Sequence, residues 1–432
     1  MQQLPHKLHR RSLVQAGTLG AALPLSRLLE ATQLQPAGDP GRSAILVFLG
    51  GGPAHQDTFD LKPAAPPEYR GQFSPIATNV PGIEICEHLP KLARSMHHCA
   101  LIRGLTHSLA DHGLGTRYLL TGNLPTPALD YPLLGSLVSY ELPAKPDLPS
   151  FVSIDRPVEG PGYLGPAYGP LSTGEKPRYG QPFRVRGITL DGTLTVDTFK
   201  KRHALLRDID NSFKNLEKQD ALLQGLNQFQ QQAYRMISSE RSRKAFDLAS
   251  EPESEMDQFG RHEFGQSLLL AARLVEAGVR FVTVLLEGWD THQDNFNTLA
   301  RQLLPQLDQS LAALLNRLHQ NGQLSTTSIL TVGEFGRTPK INANAGRDHW
   351  AQASCALFAG AGIAAGQVIG KTDARAEGPD HQGFSPDDLA TSFLHAVGID
   401  PQKEYNSPSG RPITAIRDGK IIPALLTTPP VA

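Results

Sequence analysis

Between residues 281 and 332 an apolar run, a long helical pattern and a second apolar run follow one another, and that order leaves few folds open. Residues 281–286 and 328–332 are short and rich in β-branched side chains, with no polar face, as strands covered on both sides are. Between them, residues 295–320 carry Leu299, Leu303, Leu304, Leu307, Leu311, Leu314, Leu315 and Leu318 at helical spacing, and Gly322 ends the pattern. Residues 264–277 form a further helical stretch stopped by Gly278, a left-handed cap signal. Strand, helix and strand in this order make a βαβ unit with a right-handed crossover, and therefore parallel strands.

The rest of the chain extends the pattern. Residues 43–49 are a continuous apolar run, expected as a first, central strand, broken by Gly50, Gly51, Gly52 and Pro53. Residues 99–103 read as a second strand, and a helix is expected from His112 to its stop at Gly122. Residues 354–358 and 368–369 are further short strand candidates, and residues 386–397 are a late helix capped by Ser385. Residues 151–200, rich in Gly, Pro and Tyr, are expected as an insertion or lid over the sheet edge. Residues 202–250 are polar and helical and show no chemistry.

Charge and cysteine usage exclude several functions. Lys and Arg number 41 against 42 Asp and Glu, so no basic face is implied and nucleic acid is not an expected partner. Cys86, Cys99 and Cys355 form no C-x-x-C pair, which removes a cysteine-rich zinc site. They are compatible with one Cys86–Cys99 disulfide or with three separate buried thiols. Arg10 and Arg11 precede a moderately apolar stretch at 15–25, so residues 1–35 are expected to be a Tat-type signal sending the chain to the periplasm or cell envelope. That stretch is too short to span a membrane. A basic tail without targeting function is the alternative.

Three loops carry the chemistry: Gly288-Trp289-Asp290-Thr291-His292, Gly333-Glu334-Phe335-Gly336-Arg337 and Gly346-Arg347-Asp348-His349-Trp350. Each holds a carboxylate and two add a histidine, the ligands that hard-to-borderline divalent ions take. The first two follow strands, and ligands bind at the carboxyl ends of strands in open α/β sheets, so the loops are expected to converge.

These segments, with residues 51–60, 118–122 and 264–284 and the twin-arginine leader, resemble the bacterial family known as domain of unknown function 1501. That family is similar to alkaline phosphatases, sulfatases and cofactor-independent phosphoglycerate mutases. The resemblance implies one three-layer α/β/α domain over residues 42–426, with a mostly parallel central sheet. It also implies an acidic metal ligand after the first strand, a nucleophile opening a helix, Asp-x-x-x-His and Asp-His pairs, and a final His. Here Gly50 and Gly51 stand at the strand end, with Asp57 or Asp60 as the nearest acids. His112 occupies the nucleophile position in a segment ending Leu120-Thr121-Gly122. Asp290 and His292 are closer in sequence than the usual pair, Glu334-Phe335 replaces Asp-His, and His349 matches the final His.

The resulting expectation is an exported metal-dependent hydrolase of a phosphate or sulfate ester. Its substrate would be a small anion, with a sugar as one carrier. One or two divalent ions (zinc, or calcium, magnesium or manganese) would sit among Asp57, Asp290, His292, Glu334, Asp348 and His349. Arg117, Arg337 and Arg347 would hold the anion through bidentate bonds, and backbone N–H groups at Gly113 would face it. His112 would be a nucleophile, or a ligand or base beside a metal-activated water. Glu334 would ligate or pair with Arg337, and Asp348 would ligate or orient His349. The alternative is a catalytically degenerate member serving as a binding or structural module of the cell envelope.

Overall fold

The computed structural model describes residues 41–185, 233–407 and 409–427, with Ile188 and Thr198 as isolated positions. The leader expected over residues 1–35, most of residues 186–200 and the polar stretch 202–232 lie outside the described residues.

Two-sided burial builds the sheet. Along β1 (Ser43–Gly50), Ile45, Val47 and Leu49 enter one apolar core while Ala44, Leu46 and Phe48 enter another on the opposite face. The other strands are β2 (Cys99–Leu105), β3 (Phe151–Ser153), β4 (Leu171–Ser172), β5 (Phe281–Glu287), β6 (Thr327–Val332), β7 (Ser354–Gly360) and β8 (Gln367–Ile369). Their order across the sheet is β8-β2-β7-β6-β1-β5-β3-β4. β7 runs antiparallel to both neighbours, and every other pairing is parallel.

The covering helices are α1 (His112–Thr121), α2 (Leu134–Glu141), α3 (Glu263–Ala277), α4 (Leu304–Gln320) and α5 (Pro386–Val397). Side chains of α3 and α4 belong to the core on one face, and those of α1, α2 and α5 to the core on the other. The chain is therefore a three-layer α/β/α fold with a mostly parallel sheet. α5 carries the expected cap as a full capping box between Ser385 and Asp388.

One local expectation changes, a second gains detail, and the cysteine alternatives resolve. The helix expected over 295–320 contains a π turn at Leu299–Leu303 just before α4. Pro305 has no N–H to return to the preceding turn, which is where such a widening relieves the ladder. Within the expected insertion, residues 151–153 and 171–172 form β3 and β4, which extend the sheet beside β5. Strands of two or three residues between prolines and glycines leave no readable alternation. Cys86, Cys99 and Cys355 are three separate buried thiols. Among the described residues no helix is long and apolar enough to cross a membrane.

The strand directions place the site. The loops after β1, β2, β5 and β6 all leave the same edge of the sheet. The segment before β7 returns to that edge because β7 is reversed, and it carries His349 there.

Candidate metal centre

Each side chain of the centre is delivered by one of these loops. Asp290 and His292 follow β5, Glu334 and Arg337 follow β6, Asp348 and His349 precede β7, and His112 opens α1 after β2. Glycines let the loops close. Gly51 has φ +114°, and a Cβ there would lie 2.4 Å from the Asp290 nitrogen. One at Gly346 would lie 2.0 Å from the His292 carbonyl oxygen. The glycine at the end of β1, where a carboxylate was expected, is thus the condition for the β5 loop to pack against it.

Asp290 Oδ1 is the focus. His292 Nε2 lies 3.0 Å from it, His349 Nε2 3.1 Å and His112 Nε2 3.4 Å. Arg337 donates to the same oxygen. Partial burial opposes ionisation of Asp290, yet the Arg337 bond and charge, with His349 and His112, carry its pKa down to about 2. Among the described residues, His112, Asp290 and His349 form a cluster whose ligand atoms all lie within 4.8 Å of one another, consistent with a single divalent-metal site. His292 adds a further nitrogen, its Nε2 lying 3.0 Å from His349 Nε2.

The hydrogen-bond network assigns the protons. His349 Nδ1 lies 2.9 Å from the Ala110 carbonyl oxygen, which only accepts, so Nδ1 carries the hydrogen. His292 Nδ1 donates to Asp348 Oδ1 at 2.7 Å, and His112 Nδ1 donates to Glu334 Oε1 at 2.6 Å. The three Nε2 atoms are then bare in the neutral rings and turn their lone pairs towards a carboxylate oxygen and one another. Such an arrangement is repulsive unless a cation or extra protons lie between them. Histidines fixed at Nδ1 by a carboxylate or carbonyl, with Nε2 free, are the arrangement that metal-binding imidazoles adopt.

Several expected ligands take other positions. Glu334, 2% exposed, sits behind His112 and accepts the Gly51 N–H at 2.9 and 3.2 Å, so it orients His112. Its expected partner, Arg337, bonds Asp290 instead. Asp348 orients His292 and not its neighbour His349, because successive side chains of an extended segment diverge. Its pKa is lowered by the His292 hydrogen bond. Asp57 is not brought to the cluster. It is fully buried against the equally buried Arg347, with Nε–Oδ2 2.7 Å and Nη2–Oδ1 3.0 Å.

None of the three expected anion-binding arginines is free. Arg347 is committed to Asp57. Arg337 is 0% exposed and spans Gly51, Gly52 and Arg347 carbonyls as well as Asp290. Arg117 bonds Glu159 at 3.2 Å with Asp130 at 3.9 Å. At the N-terminus of α1, Asp111 accepts the Leu114 N–H at 2.9 Å, so a carboxylate already caps it. Trp289 is buried core, and Trp350 donates to the Glu377 carbonyl oxygen at 2.8 Å.

Three supports carried little sequence signal. His107 donates through Nε2 to the Glu334 carbonyl oxygen at 2.8 Å and accepts the Leu109 N–H at Nδ1, which braces the Glu334 loop. Burial lowers its pKa, opposed by that bond. The Ala110 carbonyl and Gly51 N–H are backbone groups, and any residue type could supply the former.

Over residues 41–426 the chain matches the family described as protein of unknown function DUF1501, and it belongs to that family. No curated protein matches it. Among solved structures it is similar to Ps i-CgsB, at 11% identity over 83% of this chain and 72% of that one, TM-score 0.40. It is similar to the PsFucS1 sulfatase from Pseudoalteromonas sp., at 12% identity over 86% and 70%, TM-score 0.37. A 2-O GAG sulfatase matches at 12% identity over 89% and 74%, TM-score 0.37. Likeness at these scores leaves the functional reading to the geometry of the centre.

Proposed function

We propose that the protein is an exported metal-dependent hydrolase of a phosphate or sulfate ester, with one divalent ion held by Asp290, His112, His292 and His349. The observation that carries this reading is the convergence of the His292 and His349 Nε2 atoms, 3.0 Å apart, on the Asp290 carboxylate, with each ring held at Nδ1 by an acceptor. Three imidazoles and one carboxylate are a zinc-type donor set, whereas calcium and magnesium take oxygen. When bound, such an ion polarises an ester oxygen and makes a nearby water acidic. The chain's own residues supply position. Asp348, Glu334 and the Ala110 carbonyl hold the three rings at Nδ1, and Arg337 keeps Asp290 ionised and aimed. His112, whose Nε2 lies 3.4 Å from Asp290 Oδ1, is the third ring, held towards the ion by its Nδ1 bond to Glu334.

The commitment of all three arginines to protein carboxylates favours a second reading, the degenerate binding module. Zinc titration by calorimetry, followed by turnover of aryl sulfates and phosphates, separates the two. The hydrolase binds about one zinc and turns over an aryl ester, and His349→Ala loses both. A chain that binds no zinc and hydrolyses none of these esters is the module. Export rests on Arg10 and Arg11. Replacing both with Lys is expected to leave the protein in the cytoplasm, and normal export of that variant refutes this part.

A further inference from the structure

Resting on that reading, we infer that the centre selects esters bearing a single negative charge, sulfate monoesters or phosphodiesters, over doubly charged phosphate monoesters. The charge inventory leads there. Asp290, Asp348 and Glu334 surround the imidazoles, and Arg337 is the guanidinium bonded within this group. One divalent ion brings that set to neutrality and no further. The two other arginines of the motifs add nothing, since Arg347 is neutralised by Asp57 in the interior and Arg117 by Glu159. Among the described residues no second donor cluster accompanies this set, and Asp57 is held by Arg347 and Asn295.

The rim is no more cationic. Asp111 is exposed and sits one residue from His112, with its carboxylate on the first turn of α1. Leu114, on the same turn, is 48% exposed and offers an apolar surface. A phosphate monoester dianion entering here brings two charges to a neutral centre beside the Asp111 carboxylate, whereas a sulfate ester or phosphodiester brings one. At about 4–8 Å in a partly exposed site, one unit of charge against another, after screening, changes affinity by about tenfold.

The test uses the full chain loaded with zinc chloride. Benzenesulfonate and phenylphosphonate are inert and nearly isosteric, with one and two charges respectively at about pH 8.5. Calorimetry is expected to show benzenesulfonate binding about tenfold more tightly. At a zinc concentration that saturates the variant despite its weaker zinc affinity, Asp348→Asn keeps an oxygen for the His292 N–H and removes one negative charge, so it is expected to shrink that preference severalfold. In turnover, p-nitrophenyl sulfate or bis(p-nitrophenyl) phosphate is expected to exceed p-nitrophenyl phosphate in kcat/KM, and which of the two leads identifies the ester. Equal or tighter phenylphosphonate binding, or a preference untouched by Asp348→Asn, overturns the inference while zinc binding and ester turnover still stand. Failure to bind zinc overturns the hydrolase reading and this inference together.

Discussion

Replacing Asp57 with Asn removes one charge from a pair in which both partners are fully buried. Arg347 then keeps a guanidinium in the interior with only the Tyr69, Thr338 and Pro339 carbonyls to satisfy it. The new amide turns at least one N–H towards a guanidinium N–H or towards the Asn295 amide that now donates to Asp57 at 2.9 Å. Breaking a buried pair from one side costs about 3–5 kcal/mol. With an unfolding entropy of about 2.1 cal/mol/K per residue over a domain of roughly 390 residues, about 4 kcal/mol lowers Tm by about 5 °C. Differential scanning calorimetry reads the shift, and titration calorimetry reads zinc in the same sample. The expected result is a lower Tm with zinc stoichiometry unchanged, because Asp57 clamps the loop before β7 and does not ligate. A Tm within about 1 °C of wild type, or loss of zinc by a folded variant, refutes the assignment.

Other outcomes follow from the same geometry. Glu334→Gln and Asp348→Asn each weaken the acceptor that fixes a ring at Nδ1, so zinc affinity is expected to fall about 10–100-fold with the fold retained; wild-type affinity in both would show that these carboxylates do not position the rings. His55 is fully buried, donates through Nε2 to the Ala376 carbonyl oxygen at 3.1 Å, and has its pKa lowered from 6.5 to about 4, chiefly by burial and against the pull of Asp60. Above pH 6.5 the ring is neutral in both states and costs nothing. As pH falls towards about 4 the unfolded chain takes a proton that the folded chain refuses, and stability drops by about 3 kcal/mol at 1.36 kcal/mol per unit. Urea titrations at about pH 7.5 and 4.5 should show this drop in wild type and a smaller one in His55→Gln; parallel drops would remove His55 as the cause.

Elements built from long, one-sided or two-sided apolar patterns were legible in the chain. Residues 281–286 and 328–332 became β5 and β6, and the stop at Gly278 and the cap at Ser385 lie where the pattern puts them. β3 and β4 were not, because strands of three and two residues within a Gly- and Pro-rich stretch leave no period-2 signal.

What the sequence by itself determined is the parallel βαβ frame and the identity of the loops that carry Asp, His and Glu, since strand and helix periods depend on local spacing alone. The partnership of those side chains was decided only by the tertiary structure. Asp57 and Arg347 lie 290 positions apart and Glu334 and His112 222 apart, and nothing local marks an acid as a clamp, a positioner or a ligand. The reversal of β7 is also tertiary, and it alone brings His349 back to the edge where Asp290 and His292 wait. The protons obey the same division. Whether an imidazole offers Nε2 to a cation depends on what holds its Nδ1, and here that is a carboxylate or a carbonyl from a distant segment of the chain.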